Sequence, residues 1–136
     1  MLLVSLIYTS EMTVSTDFMD ILEVSRDRNE RDAITGVLLF CNNNVVQCLE
    51  GSRDAVSHTY ARIVRDRRHR NALLLDYRVL SARSFSTWSM GYVPESSVTR
   101  PTLLKYSVSQ DFAPRLLSGD ACLGMLTELT GKVRLV

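Results

Sequence analysis

The sequence is poor in the residues that several large classes of protein depend on. Of its 136 residues, 3 are cysteine, 3 are proline and 6 are glycine, which excludes a disulfide-rich, collagen-like or low-complexity chain. Lys and Arg total 16 against 15 Asp and Glu, a net charge of +1, and this argues against a dedicated nucleic-acid binder. No apolar run reaches the roughly 20 residues that span a bilayer. We therefore expect a single domain that acts away from membranes.

Two further features favour a protein of the cytoplasm. The N-terminal stretch MLLVSLIYTS has no basic residues before its apolar run, unlike a signal peptide. Cys41, Cys48 and Cys122 are odd in number and too sparse for a disulfide framework, so we expect free thiols in a reducing compartment. The two histidines are too few for a histidine metal site, and no pair of carboxylates stands out for acid–base catalysis.

Hydrophobic patterning predicts strands that alternate with helices. The expected strands are residues 2–9, 34–41, 45–50, 73–80 and 86–93. One helix is expected over about residues 16–28, with Ser15, Thr16 and Asp17 as possible caps at its start. A second is expected over residues 53–66, with an apolar stripe of Val56, Tyr60, Ile63 and Val64. Asn42–Asn44 predict a hairpin turn, Asn71 a break before the fourth strand, and residues 102–130 one or two amphipathic helices with Gly119 between them.

This order predicts an α+β fold of the ferredoxin-like type, βαββαββ, with a five-stranded mixed sheet. Several strands are apolar at nearly every position, which is typical of strands buried on both faces. The two internal helices can cover one face of the sheet, and we expect the apolar C-terminal tail to cover the other.

Strand alternation sets which side chains share a face. The expected groups are Leu6 with Tyr8, Val45 with Gln47 and Leu49, and Trp88 with Met90. If the helices cover the face that carries Tyr8 and Gln47, the glutamine amide needs hydrogen-bond partners, because an unpaired buried polar group costs about 1–3 kcal/mol. On the strand alone, a core glutamine bonded to backbone or an edge-strand glutamine facing solvent is the more common explanation of such a residue.

Six separated segments, taken together, resemble one family. They are LIYTS at 6–10, SRDRN at 25–29, ITGVLLF at 34–40, VQCLEG at 46–51, R-I-V-x-D-x-R-H at 62–69 and RSFSTWSMG at 83–91. In order and spacing they are similar to the BLUF family of flavin-binding blue-light sensors over about residues 2–93. Two positions depart from the family's frequent choices: Arg28 stands where His or Asn is common, and Val45 where Phe is common.

The resemblance implies a set of photoactive residues. Tyr8 matches the phenol that gives an electron and a proton to the excited flavin, and Gln47 matches the amide whose hydrogen bonds switch in light. Trp88 and Met90 match a fifth-strand pair that rearranges near this glutamine. The cofactor-binding positions that the resemblance implies are Ser25, Arg28, Asn29, Gln47, Arg62, Ile63, Asp66, Arg68 and His69.

The resemblance also predicts how the chain is organised and how it works. Residues 1–94 would form the flavin-binding core, and residues 95–136 a helical extension of the same domain. We expect a short, stand-alone photoreceptor without catalysis of its own, which binds FAD or alternatively FMN, self-associates, and signals through a separate effector protein.

Other functions remain open on the residues alone. The fold and its buried polar groups also suit a small flavoenzyme or an acylphosphatase-like hydrolase, and some ferredoxin-like sheets bind nucleic acid through exposed aromatics. The basic run at 65–70 is most simply a solvated helix end favoured by the helix dipole, although it could also hold a flavin phosphate.

Overall fold

The computed structural model describes residues 2–12 and 18–132. Its strands are β1 (Leu3–Glu11), β2 (Thr35–Cys41), β3 (Asn44–Ser52), β4 (Arg70–Val79) and β5 (Gly91–Val93). Its helices are α1 (Phe18–Arg31), α2 (Arg53–Arg65), α3 (Arg100–Tyr106) and α4 (Gly119–Lys132), with short 3₁₀ turns at Glu95–Ser97 and Pro114–Leu116. The proposed caps of the first helix, Ser15, Thr16 and Asp17, lie outside the described residues.

The strands form one sheet in the order β4-β1-β3-β2-β5. β1 is antiparallel to both β3 and β4, β2 is antiparallel to β3, and β5 runs parallel to β2. Each of the two strand–helix–strand halves leaves a gap that a strand of the other half fills. This is the predicted five-stranded, mixed, ferredoxin-like sheet, and the prediction is confirmed.

The turn between β2 and β3 follows from its asparagines. Asn42 and Asn43 have φ angles of 51° and 62°, the left-handed conformation that a tight hairpin requires and that asparagine tolerates. The hairpin fixes the register in which Leu38 lies opposite Gln47. The glutamine is thereby held in the middle of the sheet.

Each face of the sheet has its own hydrophobic core. On one face, Tyr8, Leu38 and Leu49 pack with Leu22 of α1 and Val56 of α2. The expected sharing of a face by Leu6 with Tyr8 and by Val45 with Leu49 is confirmed.

The opposite face is covered by the C-terminal tail, as predicted. Ile7 and Cys48 pack there with Met125, Leu126 and Leu129 of α4, and all five side chains are completely buried. Helices therefore pack on both faces of the described sheet, and its exposed positions lie on the edge strand β4, where Leu74 and Tyr77 are 48% and 43% exposed. A single exposed aromatic side chain does not form the stacking surface that nucleic-acid binding by such sheets uses.

The second helix begins and ends close to its predicted limits. Ser52 caps it by accepting a hydrogen bond from the Ala55 amide at 3.1 Å. Val56 is fully buried, but Val64 is 48% exposed. Val64 was therefore wrongly assigned to the apolar stripe, because it lies farther round the helix from Val56 than Ile63, which does pack against the core.

Two strand predictions were wrong. Asn71 does not precede β4 but lies inside it, with φ 54°, because asparagine adopts this conformation locally without ending the strand. The fifth strand does not begin at residue 86: only Gly91–Val93 pairs with β2. A turn between Phe85 and Trp88, closed by a 3.2 Å backbone hydrogen bond, interrupts the extended chain before it.

Candidate functional site

A chain of three side chains crosses the helix-covered face of the sheet. The Tyr8 hydroxyl donates a hydrogen bond to Oε1 of Gln47, and Nε2 of Gln47 approaches Sδ of Met90 at 3.2 Å. The exposed fractions of these residues are 0%, 5% and 1%. Both ends of the glutamine amide are thus engaged by side chains, and the alternative of an edge-strand glutamine facing solvent is wrong, because β3 is the central strand.

Strand register brings these residues together. Tyr8 lies directly opposite Gln47 in the β1–β3 ladder, and facing side chains in such a ladder are in contact range. Met90 comes immediately before β5, which joins the sheet beside β2. Residues that are 39 and 43 positions apart in the sequence therefore meet side by side.

The surroundings of Tyr8 keep its phenol protonated. Burial raises the pKa of Tyr8 far above its ordinary value, and Tyr60 adds to the shift. The Tyr8 and Tyr60 rings lie 5.3 Å apart between centroids, and the His69 ring lies 6.4 Å away on an edge-on contact. The Tyr8 hydroxyl is consequently a hydrogen-bond donor at neutral pH.

A cleft opens between α1 and α2, next to the side chains of Gln47 and Met90. The cavity volume of its inner part is about 70 Å³, so the inner part is a narrow slot. The predicted residues that line it are Ser25, Arg28, Asn29, Gln47, Arg62, Ile63 and His69, and Met90 joins them. Apolar side chains from β2 and α1, among them Leu38 and Ile21, complete the walls.

The outer part of the cleft is charged. Its cavity volume is about 350 Å³, and it is lined by the remaining predicted residues, Asp66 and Arg68, beside Arg28 and Arg62. Arg68 lowers the pKa of Asp66 to about 2 through hydrogen bonds to its carboxylate. The mouth therefore presents the guanidinium groups of three arginines and the carboxylates of Asp20 and Asp66, an excess of positive charge that suits an anionic group.

His69 sits at the boundary of the two parts of the cleft. Its Nδ1 lies 2.7 Å from Oγ of Ser10, and the ring lines both the inner and the outer part. Burial lowers the pKa of His69 below its ordinary value, and Arg68 lowers it further, against the opposing effect of Asp66. The imidazole is accordingly neutral at physiological pH.

The segment that leads into Met90 is tied to both β2 and α1. The backbone amide of Gly36 donates to the Trp88 carbonyl at 3.1 Å, and Nδ2 of Asn29 donates to the Ser89 carbonyl at 2.8 Å. A third contact was not predicted from the sequence: Nε of Arg26 donates to the Met90 carbonyl at 2.8 Å. The spacing of Arg26 and Asn29 by three residues, on one helix face, was the available signal.

The side chains of Trp88 and Met90 lie on opposite faces of the sheet. Its ring stacks on Phe85, with centroids 6.2 Å apart and planes at 19°, and it packs against the core under α4. The predicted sharing of a face by Trp88 and Met90 is wrong, because the chain from 85 to 90 is not an extended strand and strand alternation does not apply to it. Met90 is the member of the pair that lines the cleft.

The cleft has the character of a site for a flat ligand with one polar edge. Aliphatic walls contact flat apolar faces, while the amides of Asn29 and Gln47 fix a polar edge. The guanidinium groups at the mouth suit a phosphate. An isoalloxazine ring with a phosphorylated tail has this combination of properties, so the residues present fit a flavin.

Comparison with known families agrees with this geometry. The family model "BLUF: Sensors of blue-light using FAD" matches residues 3–91. The chain belongs to the BLUF family. BLUF domains are flavin-binding photosensors, and this BLUF domain is one of them.

Solved BLUF structures share the fold closely. The photo-activated state of BlsA is 31% identical, with a TM-score of 0.86 over 98% of both chains. The dark-state structure of the BLUF protein BlrB is 33% identical, with a TM-score of 0.74 over 96% of both chains. These two similarities extend well beyond residue 91 and therefore include the helical tail.

A curated relative is the photoactivated adenylate cyclase subunit beta of Euglena gracilis, 33% identical over 118 residues. The alignment covers 84% of this chain but only 13% of the cyclase subunit. The similarity thus concerns a small part of that protein.

Among residues 2–12 and 18–132, no cluster of three or more His, Cys, Asp or Glu could hold a metal ion. Within the same ranges, no helix combines the length and apolar character that crossing a bilayer requires.

Proposed function

We propose that flavin binds this BLUF domain in the cleft between α1 and α2, with Tyr8 and Gln47 as the light-switched pair. The observation that carries the proposal is the buried chain from the Tyr8 hydroxyl through the Gln47 amide to Met90, which ends against the cleft. All of the residues that the family resemblance implied for the cofactor line this cleft. Such a combination has no evident purpose in a merely structural core.

The roles of the lining residues follow from their chemistry. Asn29 and Gln47 would bind the polar edge of the ring through their amides, while Ile63 and the stem of Arg62 would contact its faces. Ser25 lies one helical turn before Asn29 and faces the same cleft. Arg28, although its position departs from the family's frequent residues, contributes its guanidinium to both parts of the cleft.

FAD is the flavin that the outer cleft favours. A pyrophosphate carries more negative charge than the single phosphate of FMN, and the mouth places Arg28, Arg62 and Arg68 against Asp20 and Asp66, which leaves an excess of positive charge. Asp66 orients Arg68 through paired hydrogen bonds and His69 closes the inner end.

Within the protein, the group that switches would be the side-chain amide of Gln47. When bound, the flavin supplies absorption of blue light and an excited state that takes up an electron and a proton. The Tyr8 phenol holds a proton at its oxygen, next to Gln47 Oε1. Exchanging the two ends of the Gln47 amide would direct an N–H group at the phenol oxygen and an acceptor at Met90 Sδ, which has no proton to donate. The two arrangements therefore differ in their neighbours, as a switch requires.

Signal output would pass through the segment next to Met90 to a separate partner. Residues 1–94 would be the flavin-binding core and residues 95–136 its extension, which packs under the sheet through α4. We further propose a cytoplasmic protein that self-associates, consistent with three free, buried cysteines and exposed apolar side chains such as Leu116 and Val108.

The visible absorption spectrum of the purified protein tests this function directly. We expect a flavin spectrum in the dark that shifts to the red under blue light and returns in darkness, and release of FAD on denaturation. Bleaching of the flavin bands without a red shift would indicate other flavin chemistry. Protein that stays colourless after reconstitution with FAD or FMN would refute the proposal.

A further inference from the structure

Arg26 holds the backbone next to the switching glutamine. Its Nε donates to the Met90 carbonyl at 2.8 Å, while the Met90 side chain accepts from Gln47 Nε2 at 3.2 Å. Met90 is thus held at both ends, by Gln47 through its sulfur and by Arg26 through its backbone. Arg26 itself is partly buried on α1.

The neighbouring contacts explain why this bond matters. Sheet pairing of the segment begins only at Gly91, so the chain before it depends on individual hydrogen bonds. Asn29 holds the Ser89 carbonyl, and Arg26, one turn earlier on the same helix, holds the next carbonyl. These two α1 side chains attach the segment Ser89–Met90 to the helix that forms one wall of the cleft.

We propose that Arg26 is a positioning residue that controls how readily Gln47 exchanges its hydrogen bonds. The proposal rests on the function proposed above. Gln47 Nε2 can leave the Met90 sulfur only if the two side chains move relative to each other. A backbone held by Arg26 resists that movement, and a freed backbone follows it. Arg26 touches neither the phenol nor the floor of the cleft, and it acts through Met90.

The expected effect is on rate. Replacing Arg26 by Met removes the donor and keeps an unbranched apolar stem, and we expect dark recovery of the red-shifted state to become about two- to tenfold faster, the change that one side-chain-to-backbone hydrogen bond corresponds to. Arg26→Lys keeps a charged donor without the planar Nε–H, and we expect its recovery rate to lie between those of Arg26→Met and the wild type. Arg31→Met is the matched control, because Arg31 lies on the same helix with its side chain 70% exposed.

A second readout reports the hydrogen bond itself. Met90–Gly91 is the one place in the sequence where glycine follows methionine. Protein labelled with carbonyl-¹³C methionine and ¹⁵N glycine therefore gives a single carbonyl-to-amide NMR correlation, from Met90 to Gly91. Loss of the guanidinium donor should move that carbonyl signal upfield in Arg26→Met, less in Arg26→Lys and not in Arg31→Met. A change in overall packing alone would not single out this carbonyl.

The outcomes separate the two proposals. If the wild type binds flavin and shows the red shift, an unmoved carbonyl signal in Arg26→Met, or a recovery that is unchanged or slower, overturns the role of Arg26. If Arg26→Met does not fold or loses flavin, Arg26→Lys decides by the same two readouts. If the wild type itself shows no red shift, the proposed function is wrong and the role of Arg26 falls with it.

Discussion

Tyr8 and Gln47 face each other across adjacent antiparallel strands, and the phenol of one donates to the amide oxygen of the other. Because the amide's nitrogen is directed at Met90, the orientation of Gln47 is defined by a partner at each end. A phenol always able to donate and a thioether able only to accept favour one orientation in the unperturbed protein. In the proposed function, light must therefore change the partners of an amide that is bonded at both ends.

Replacing Gln47 by Leu should abolish the light-induced red shift and leave flavin bound. Leucine fills a similar volume but has no amide to exchange, while Asn29 and the cleft walls remain. Light-minus-dark difference spectra measure the result. Gln110→Leu is a suitable control, because Gln110 is exposed in a distant loop, and it should shift normally. A normal red shift in Gln47→Leu would show that the switch lies elsewhere.

Replacing Tyr8 by Phe should prevent the normal red-shifted state from forming. The ring and its packing against Tyr60 are retained, whereas the phenol proton and the bond to Gln47 are lost. Transient absorption after a blue flash is the appropriate measurement. Tyr77→Phe is the control, since Tyr77 is 43% exposed on β4. Formation of the ordinary lit state in Tyr8→Phe would rule out Tyr8 as the donor.

The packing of α4 predicts a large cost for truncating its core side chains. Leu129 is completely buried against the sheet, so Leu129→Ala should lower the free energy of unfolding by about 2–5 kcal/mol. Leu104 on α3 is 49% exposed, and Leu104→Ala should change stability by about 0.5 kcal/mol or less. Urea denaturation followed by circular dichroism distinguishes the two. Equal effects would mean that α4 does not cover the sheet as described.

The start of α4 is a second test of this packing. A Cβ at Gly119 would come within 2.5 Å of the Cβ and Cγ of Asp76, so Gly119→Ala should destabilise the protein by about 1–3 kcal/mol. Nothing lies within 4 Å of a Cβ at Gly131 in the same helix. Gly131→Ala should therefore be neutral or slightly stabilising, because alanine favours helix. The comparison is between the two thermal unfolding midpoints, and a stable Gly119→Ala variant would contradict the contact.

The lowered pKa of His69 predicts that the free energy of unfolding depends on pH. Burial lowers its pKa below the ordinary value of 6.5, so below that pH the unfolded chain binds a proton more readily than the folded one. The stability associated with a neutral His69 is thus fully present above pH 6.5 and is lost as pH falls through the folded-state pKa. His69→Gln should weaken this loss, measured as unfolding free energy against pH, whereas His58→Gln on the exposed side of α2 should follow the wild type. Identical curves for His69→Gln and the wild type would exclude the contribution.

What could be read from the sequence alone was set by local chemistry. Alternating and continuous apolar runs identified the strands, asparagines identified the β2–β3 hairpin, and the spacing of Val56, Tyr60 and Ile63 identified the buried face of α2. The same patterns placed Tyr8 and Gln47 on strands of one sheet. These features depend on neighbours within a few residues, so the sequence carries them directly.

Only the tertiary structure determined the conformation of the segment before β5. Whether residues 86–90 continue a strand depends on Glu50, whose carboxylate accepts from the amides of Ser84 and Phe85 at 2.6 and 3.0 Å, and on Gly36, which holds Trp88. These partners are tens of residues distant, and no local pattern reveals them. They separate Trp88 from Met90 and leave the Met90 carbonyl for Arg26. The sequence thus determined the sheet and the pair Tyr8–Gln47, whereas long-range hydrogen bonds determined which side chain lies beside that pair and what holds it there.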